Sequence, residues 1–122
     1  MTRIVRSLAE IAGAYEALVC DIWGCYHDGI RPFPAAVEAL QAFRRRGGRV
    51  ILLTNAPRPA PSVKRMLDGM DAPEDSYDGI MSSGSACQRA VASGEHGRRF
   101  HYVGPERDLH MLCLLYTSPS PR

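Results

Sequence analysis

The chain has 122 residues, with 15 basic and 13 acidic side chains and a formal charge of +2. That length fits one domain or less. The 45% hydrophobic and 23% charged content is ordinary globular composition and excludes a disordered chain. No apolar run approaches the roughly 18–20 residues of a membrane span, so no membrane partner is expected.

Ser7-Leu8-Ala9-Glu10 has the form of a capping box. Leu8, Ile11, Ala12 and Tyr15 follow at helical spacing, which predicts a short amphipathic helix. Ala17-Leu18-Val19-Cys20 is a compact apolar run closed by Asp21 and reads as a buried strand. A loop with Gly24, Gly29 and Pro32 follows. Pro34 then opens a helix where its missing N–H costs nothing. Ala36, Val37, Leu40 and Phe43 form its inner face, and Gly47-Gly48 stops it.

Val50-Ile51-Leu52-Leu53 predicts a second buried strand ending in Thr54-Asn55, with Pro57, Pro59 and Pro61 stiffening the exit. A helix is expected around Ser62–Met70. Ile80-Met81-Ser82 is a third strand candidate, and Ser83-Gly84-Ser85 is expected to cap a helix reaching about Ser93. Arg99–Val103 reads as a fourth strand closed by Gly104-Pro105. The alternation predicts an α/β fold with a parallel, Rossmann-like sheet. Asp21 and Thr54 would then emerge at one sheet edge, the carboxyl edge where such sheets bind ligands.

Among the basic residues Lys64 is the single lysine. Arg44, Arg45, Arg46 and Arg49 cluster at the expected helix C-terminus, where cations offset the exposed carbonyl dipole. No aromatic-rich surface accompanies them, so nucleic acid is not expected as a partner. Cys20, Cys25, Cys87 and Cys113 are irregularly spaced without a C-x-x-C pair, which reads as reduced thiols rather than structural zinc. Met1–Tyr15 carries Arg3 and Arg6, but Glu10 interrupts the apolar stretch a secretory signal needs. A cytoplasmic location is the expectation.

Cys113–Arg122 reads Cys-Leu-Leu-Tyr-Thr-Ser-Pro-Ser-Pro-Arg and resembles one translated frame of a transposon-end adapter used in sequencing libraries. The expectation is that the natural sequence stops near Leu112 and that the chain is an N-terminal fragment.

Two ordered motifs carry a family resemblance. Leu18-Val19-Cys20-Asp21-Ile22-Trp23-Gly24 with Asp28-Gly29, and Leu52-Leu53-Thr54-Asn55-Ala56-Pro57-Arg58, resemble the first two motifs of the haloacid dehalogenase-like hydrolases. The large-cap branch, class IIA, with its 4-nitrophenyl-phosphatase-like and nucleotide-monophosphatase-like enzymes, is the most similar. Phe33-Pro34-Ala35-Ala36 resembles the start of that branch's first core helix. Ser82-Ser83-Gly84 resembles the hinge before its cap, and His101-Tyr102-Val103-Gly104 the cap's first strand. The resemblance implies a core part over 1–84, the start of a cap over 85–112 and a non-native tail over 113–122.

It also implies a phosphohydrolase of small phosphorylated metabolites. Asp21 would be the nucleophile that forms an aspartyl-phosphate and a ligand of Mg²⁺, with the Trp23 carbonyl as a second ligand. Thr54 and Asn55 would bind the substrate phosphate. These enzymes carry a general-acid Asp two residues after the nucleophile, where this chain has Trp23, an Asp-x-Trp-Gly pattern. Indole N–H is a donor only and cannot serve as that acid.

His27 in the same loop is a weaker substitute acid and reads more simply as an exposed loop residue. The alternative is a phosphate-binding or regulatory relative with little turnover. A sugar- or nucleotide-binding Rossmann module is disfavoured, because no G-x-G-x-x-G follows the first strand. The later Lys and acidic-pair motifs have no counterpart, since Lys64 lies too early, and the fragment itself is expected to be inactive. An unpaired strand edge implies self-association, a homo-oligomer.

Overall fold

The computed structural model describes residues 4–113, so the expectation for the terminal tail lies outside the described residues from 114 onward. Three parallel strands form one sheet in the order β1-β2-β3: β1 Ala17–Asp21, β2 Arg49–Thr54 and β3 Gly79–Ser82. The connecting helices are α1 Pro34–Arg45 and α2 Ala60–Asp68; α3 Ser83–Ser93 follows β3 directly, and a short α4 covers His110–Cys113. This is the expected α/β architecture.

Each helix boundary has a local cause. Phe33 is the N-cap of α1, Pro34 takes its first position, and Gly47 just beyond its C-cap has φ +89°. Pro59 caps α2 from extended backbone, so this helix starts two residues before the expected Ser62. Ser82, rather than Ser83, caps α3: its hydroxyl accepts from the Ser85 N–H at 3.1 Å.

The core lies on one face of the sheet. Val50 and Leu52 point into it, with Leu18, Cys20 and Ile80 partly buried beside them. Val37, Leu40 and Phe43 of α1 and Val63 and Leu67 of α2 cover this face, as their helical spacing requires. The opposite face carries Val19, Leu53 and Met81, all exposed. At the amino edge of the sheet, Arg44 forms a two-pronged pair with Asp78, whose carboxylate also accepts the Val50 N–H at 2.7 Å. Part of the arginine cluster is thus bound into the fold.

Two expected elements differ. The N-terminal helix is instead a pair of 3-10 turns, Leu8–Glu10 and Ala12–Ala14. The Ser7 side chain makes no capping bond, and the Glu10 carboxylate reaches back to the Arg6 N–H, one residue beyond a capping box. Gly13 sits within this short segment, where its backbone freedom opposes an α-helix. Residues 99–103 are also not a strand. A strand exists only through its ladder, and among the described residues nothing pairs with this segment. Val103 and Phe100 are both exposed there. Among the described residues no helix is long and apolar enough to cross a membrane.

Candidate active site

Asp21 is the last residue of β1 and Thr54 the last of β2, so both reach the carboxyl edge as the strand–helix–strand pattern implied. The register refines their relation. Asp21 is opposite Leu53, so alternation sends its side chain to the exposed face of the sheet. Thr54 is one residue further on and turns to the helix-covered face, where it is buried. A phosphoryl group touching both must therefore sit over the tips of the two strands.

The Asp21 Oδ1 accepts from the Ile22 N–H at 2.9 Å, which orients the carboxylate and engages one oxygen. Thr54 Oγ1 accepts from the Ala56 N–H at 3.1 Å, a turn that uses a lone pair of the oxygen and keeps the O–H as a donor. Asn55 is exposed on irregular backbone beside it. Gly84 holds this turn from the other side: its N–H donates to the Ala56 carbonyl at 3.1 Å, and a Cβ at Gly84 would lie 2.4–2.7 Å from the backbone of Arg58. Arg58 pairs with Asp108 at 3.8 Å, linking the turn to the residues after α3.

The loop after Asp21 folds back tightly. The Tyr26 and His27 N–H groups both donate to the Ile22 carbonyl, and Gly24 N–H donates to the His27 carbonyl at 2.9 Å. This turns His27 inward. It is 2% exposed, which corrects its reading as an exposed loop residue. Its Nδ1 accepts from the Gly29 N–H at 2.8 Å, so a neutral ring carries its proton on Nε2, a buried atom without a hydrogen-bond partner among the described residues. Trp23 stays 65% exposed. Sequence reasoning missed the pairing of His27 and Gly29 beneath Trp23; the Asp28-Gly29 turn was its one visible trace.

Cys20 donates through sulfur to the Asp21 carbonyl at 3.3 Å. Burial, chiefly, pushes its thiol pKa up, with Cys25 and Asp21 adding to the shift, so it is not a poised nucleophile. Lys64 is held by Asp68 and Glu74 at the surface of α2, in keeping with its exclusion from the site.

Among the described residues no group of three or more His, Cys, Asp or Glu side chains is placed to hold a metal ion. Mg²⁺ takes near-octahedral oxygen coordination. Asp21, with one oxygen already engaged, and the Trp23 carbonyl do not make such a site by themselves.

Residues 18–115 match the family model of the haloacid dehalogenase-like hydrolases. The fold is similar to the crystal structure of a haloacid dehalogenase-like family hydrolase from Brucella suis 1330, at 36% identity and a TM-score of 0.79. That match covers 89% of this chain and 40% of the Brucella protein, so the chain spans well under half of its relative's length. A comparison with curated proteins gave no match. The matched residues include both strand ends described above, and the chain belongs to the haloacid dehalogenase-like hydrolase family.

Proposed function

We propose that this chain supplies the nucleophile and phosphate-binding groups of a phosphohydrolase of the large-cap, class IIA branch. Residues 1–84 would be the first part of its core and 85–112 the opening of its cap. The observation that carries this reading is the pairing of Asp21 and Thr54 at adjacent strand tips. Asp21 would attack the phosphorus of a small phosphomonoester through the carboxylate oxygen not held by Ile22. The Thr54 hydroxyl and the Asn55 N–H would hold the phosphoryl oxygens as negative charge builds on them. Water would then hydrolyse the aspartyl-phosphate.

In such an enzyme Mg²⁺, when bound, offsets repulsion between carboxylate and phosphate. Its remaining ligands would have to come from outside the described residues, as would the Lys of the family's later motifs. A cytoplasmic enzyme acting on a phosphorylated metabolite fits this reading.

The second reading, a phosphate-binding relative with little turnover, is favoured by Trp23. An indole supplies no proton to a leaving alkoxide. Losing general acid catalysis costs on the order of 10²–10⁴ in rate. The test is hydrolysis of 4-nitrophenyl phosphate by the longer protein that contains these residues, with and without Mg²⁺. Metal-dependent turnover abolished by Asp21→Asn is the expected result. Turnover retained in that variant would remove Asp21 as nucleophile, and its absence in the unsubstituted protein would favour the binding role.

A further inference from the structure

Trp23 is an exposed indole beside three buried side chains of its own loop. Ile22, Tyr26 and His27 around it are all buried. Asp21 is exposed, Ile22 buried and Trp23 exposed, an alternation of period two. Asp21 ends β1 and Trp23 follows it by two residues, so the carboxylate and the indole both stand open to solvent at the start of this loop.

The indole is also braced. Gly29, at φ +95°, lies beneath it, and a Cβ there would come within 2.7 Å of both Cη2 and Cζ3 of the ring. His27 meets the indole edge to face, with centroids 5.5 Å apart and planes at 85°. The His27 main chain is bonded on both sides to this loop, and its ring is tied to the Gly29 N–H. Among the described residues its buried Nε2 has no hydrogen-bond partner, an uncommon cost borne where the ring supports the indole. A large ring held still in water binds other flat groups with little further loss of freedom.

We propose that Trp23 is a specificity-determining residue, whose indole seats the aromatic leaving group of an aryl phosphate while Asp21 attacks the phosphorus. This rests on the phosphohydrolase reading above and narrows its substrate class. In the step, an Asp21 carboxylate oxygen forms the bond to phosphorus and the phosphorus–aryl-oxygen bond breaks. The electron pair leaves on the aryl oxygen as a phenolate, which takes its proton from water. A phenol titrates near 10, as the Tyr side chain does, so its anion departs without an acid. An alkoxide does not. The residue that removes the acid thus also provides the surface for the leaving group that needs none. Alkyl and sugar phosphates gain from neither.

The Trp23 indole N–H gives a nitrogen-15 NMR signal that is identified by its loss in Trp23→Phe. The longer protein that contains these residues is titrated with phenylphosphonate and with methylphosphonate, in the presence of Mg²⁺. Phenylphosphonate is expected to bind about five- to tenfold more tightly, the gain of one aromatic stack, and to move the indole signal. Trp23→Phe should keep most of that preference, and Trp23→Ala should abolish it. Exposure of the side chain makes these variants safe for folding. Equal affinities with an unmoved indole signal would overturn the Trp23 assignment and leave the phosphate site standing. A preference that survives in Trp23→Ala would overturn it as well. Binding of neither phosphonate would overturn the phosphate-site reading and this one with it.

Discussion

The Tyr26 hydroxyl lies 2.8 Å from Ser76 Oγ, a buried hydrogen bond between residues 50 positions apart. Ser76 Oγ itself donates to the Pro73 carbonyl at 2.6 Å, so Tyr26 is the donor of the pair. The bond ties the loop carrying Trp23 to the turn that precedes β3. Burial is the main cause that pushes the Tyr26 hydroxyl pKa up, so the donor stays protonated at neutral pH. Tyr26→Phe should lower stability by about 1 kcal/mol, the usual net value of such a bond. Thermal unfolding followed by circular dichroism should show a drop of about 4–8 °C. An unchanged midpoint would mean that water replaces the bond without loss.

Gly84→Ala should be worse than its size suggests. The added Cβ meets backbone atoms of Arg58, which cannot swing aside as a side chain tip can. Either α3 or the turn after Thr54 must move. Overpacking of this kind costs about 1–3 kcal/mol. Amide NMR should show shifts concentrated at Thr54–Arg58 and Ser82–Ser85; shifts confined to α3 would contradict the close approach.

Acid should act on the structure through Asp78. The Arg44 guanidinium, first, and the Val50 N–H, second, hold its carboxyl below the ordinary value. An aspartate whose folded pKa is lowered stabilises the fold fully above its ordinary value of about 3.9. That contribution is lost as pH falls from there through the lowered folded value. Asp78→Asn should therefore lower stability at pH 7 and flatten its fall between about pH 4 and lower. Urea unfolding at several pH values would reveal this; parallel curves for the two proteins would exclude it.

Self-association is expected of the chain in isolation. β1 is the edge of the described sheet, and Val19 at its centre is 66% exposed, with Leu53 and Met81 on the same face. An apolar strand at an open edge is a template for pairing with another chain. Sedimentation should show concentration-dependent oligomers, and Val19→Lys should shift them toward monomer. A monomer at all concentrations would show that the edge is protected in solution.

The elements that sequence alone determined are those whose signals are local. Val37, Leu40 and Phe43 mark a helical face by spacing, and Pro34 and Gly47 mark its ends. The apolar runs before Asp21 and Thr54 made β1 and β2 legible, and the helix between them required parallel pairing. That was enough to bring both residues to one edge.

The remainder depended on contacts between distant residues. Only the β1–β2 register showed that Asp21 and Thr54 face opposite sides of the sheet, because one residue of offset reverses a side chain. A loop position predicts an exposed His27, yet the Ile22 carbonyl gathers that loop and turns the imidazole inward. The 99–103 segment has strand composition without a partner strand among the described residues, and composition cannot supply one. Spacing and composition are properties of the chain, whereas burial, register and pairing belong to whatever packs against it.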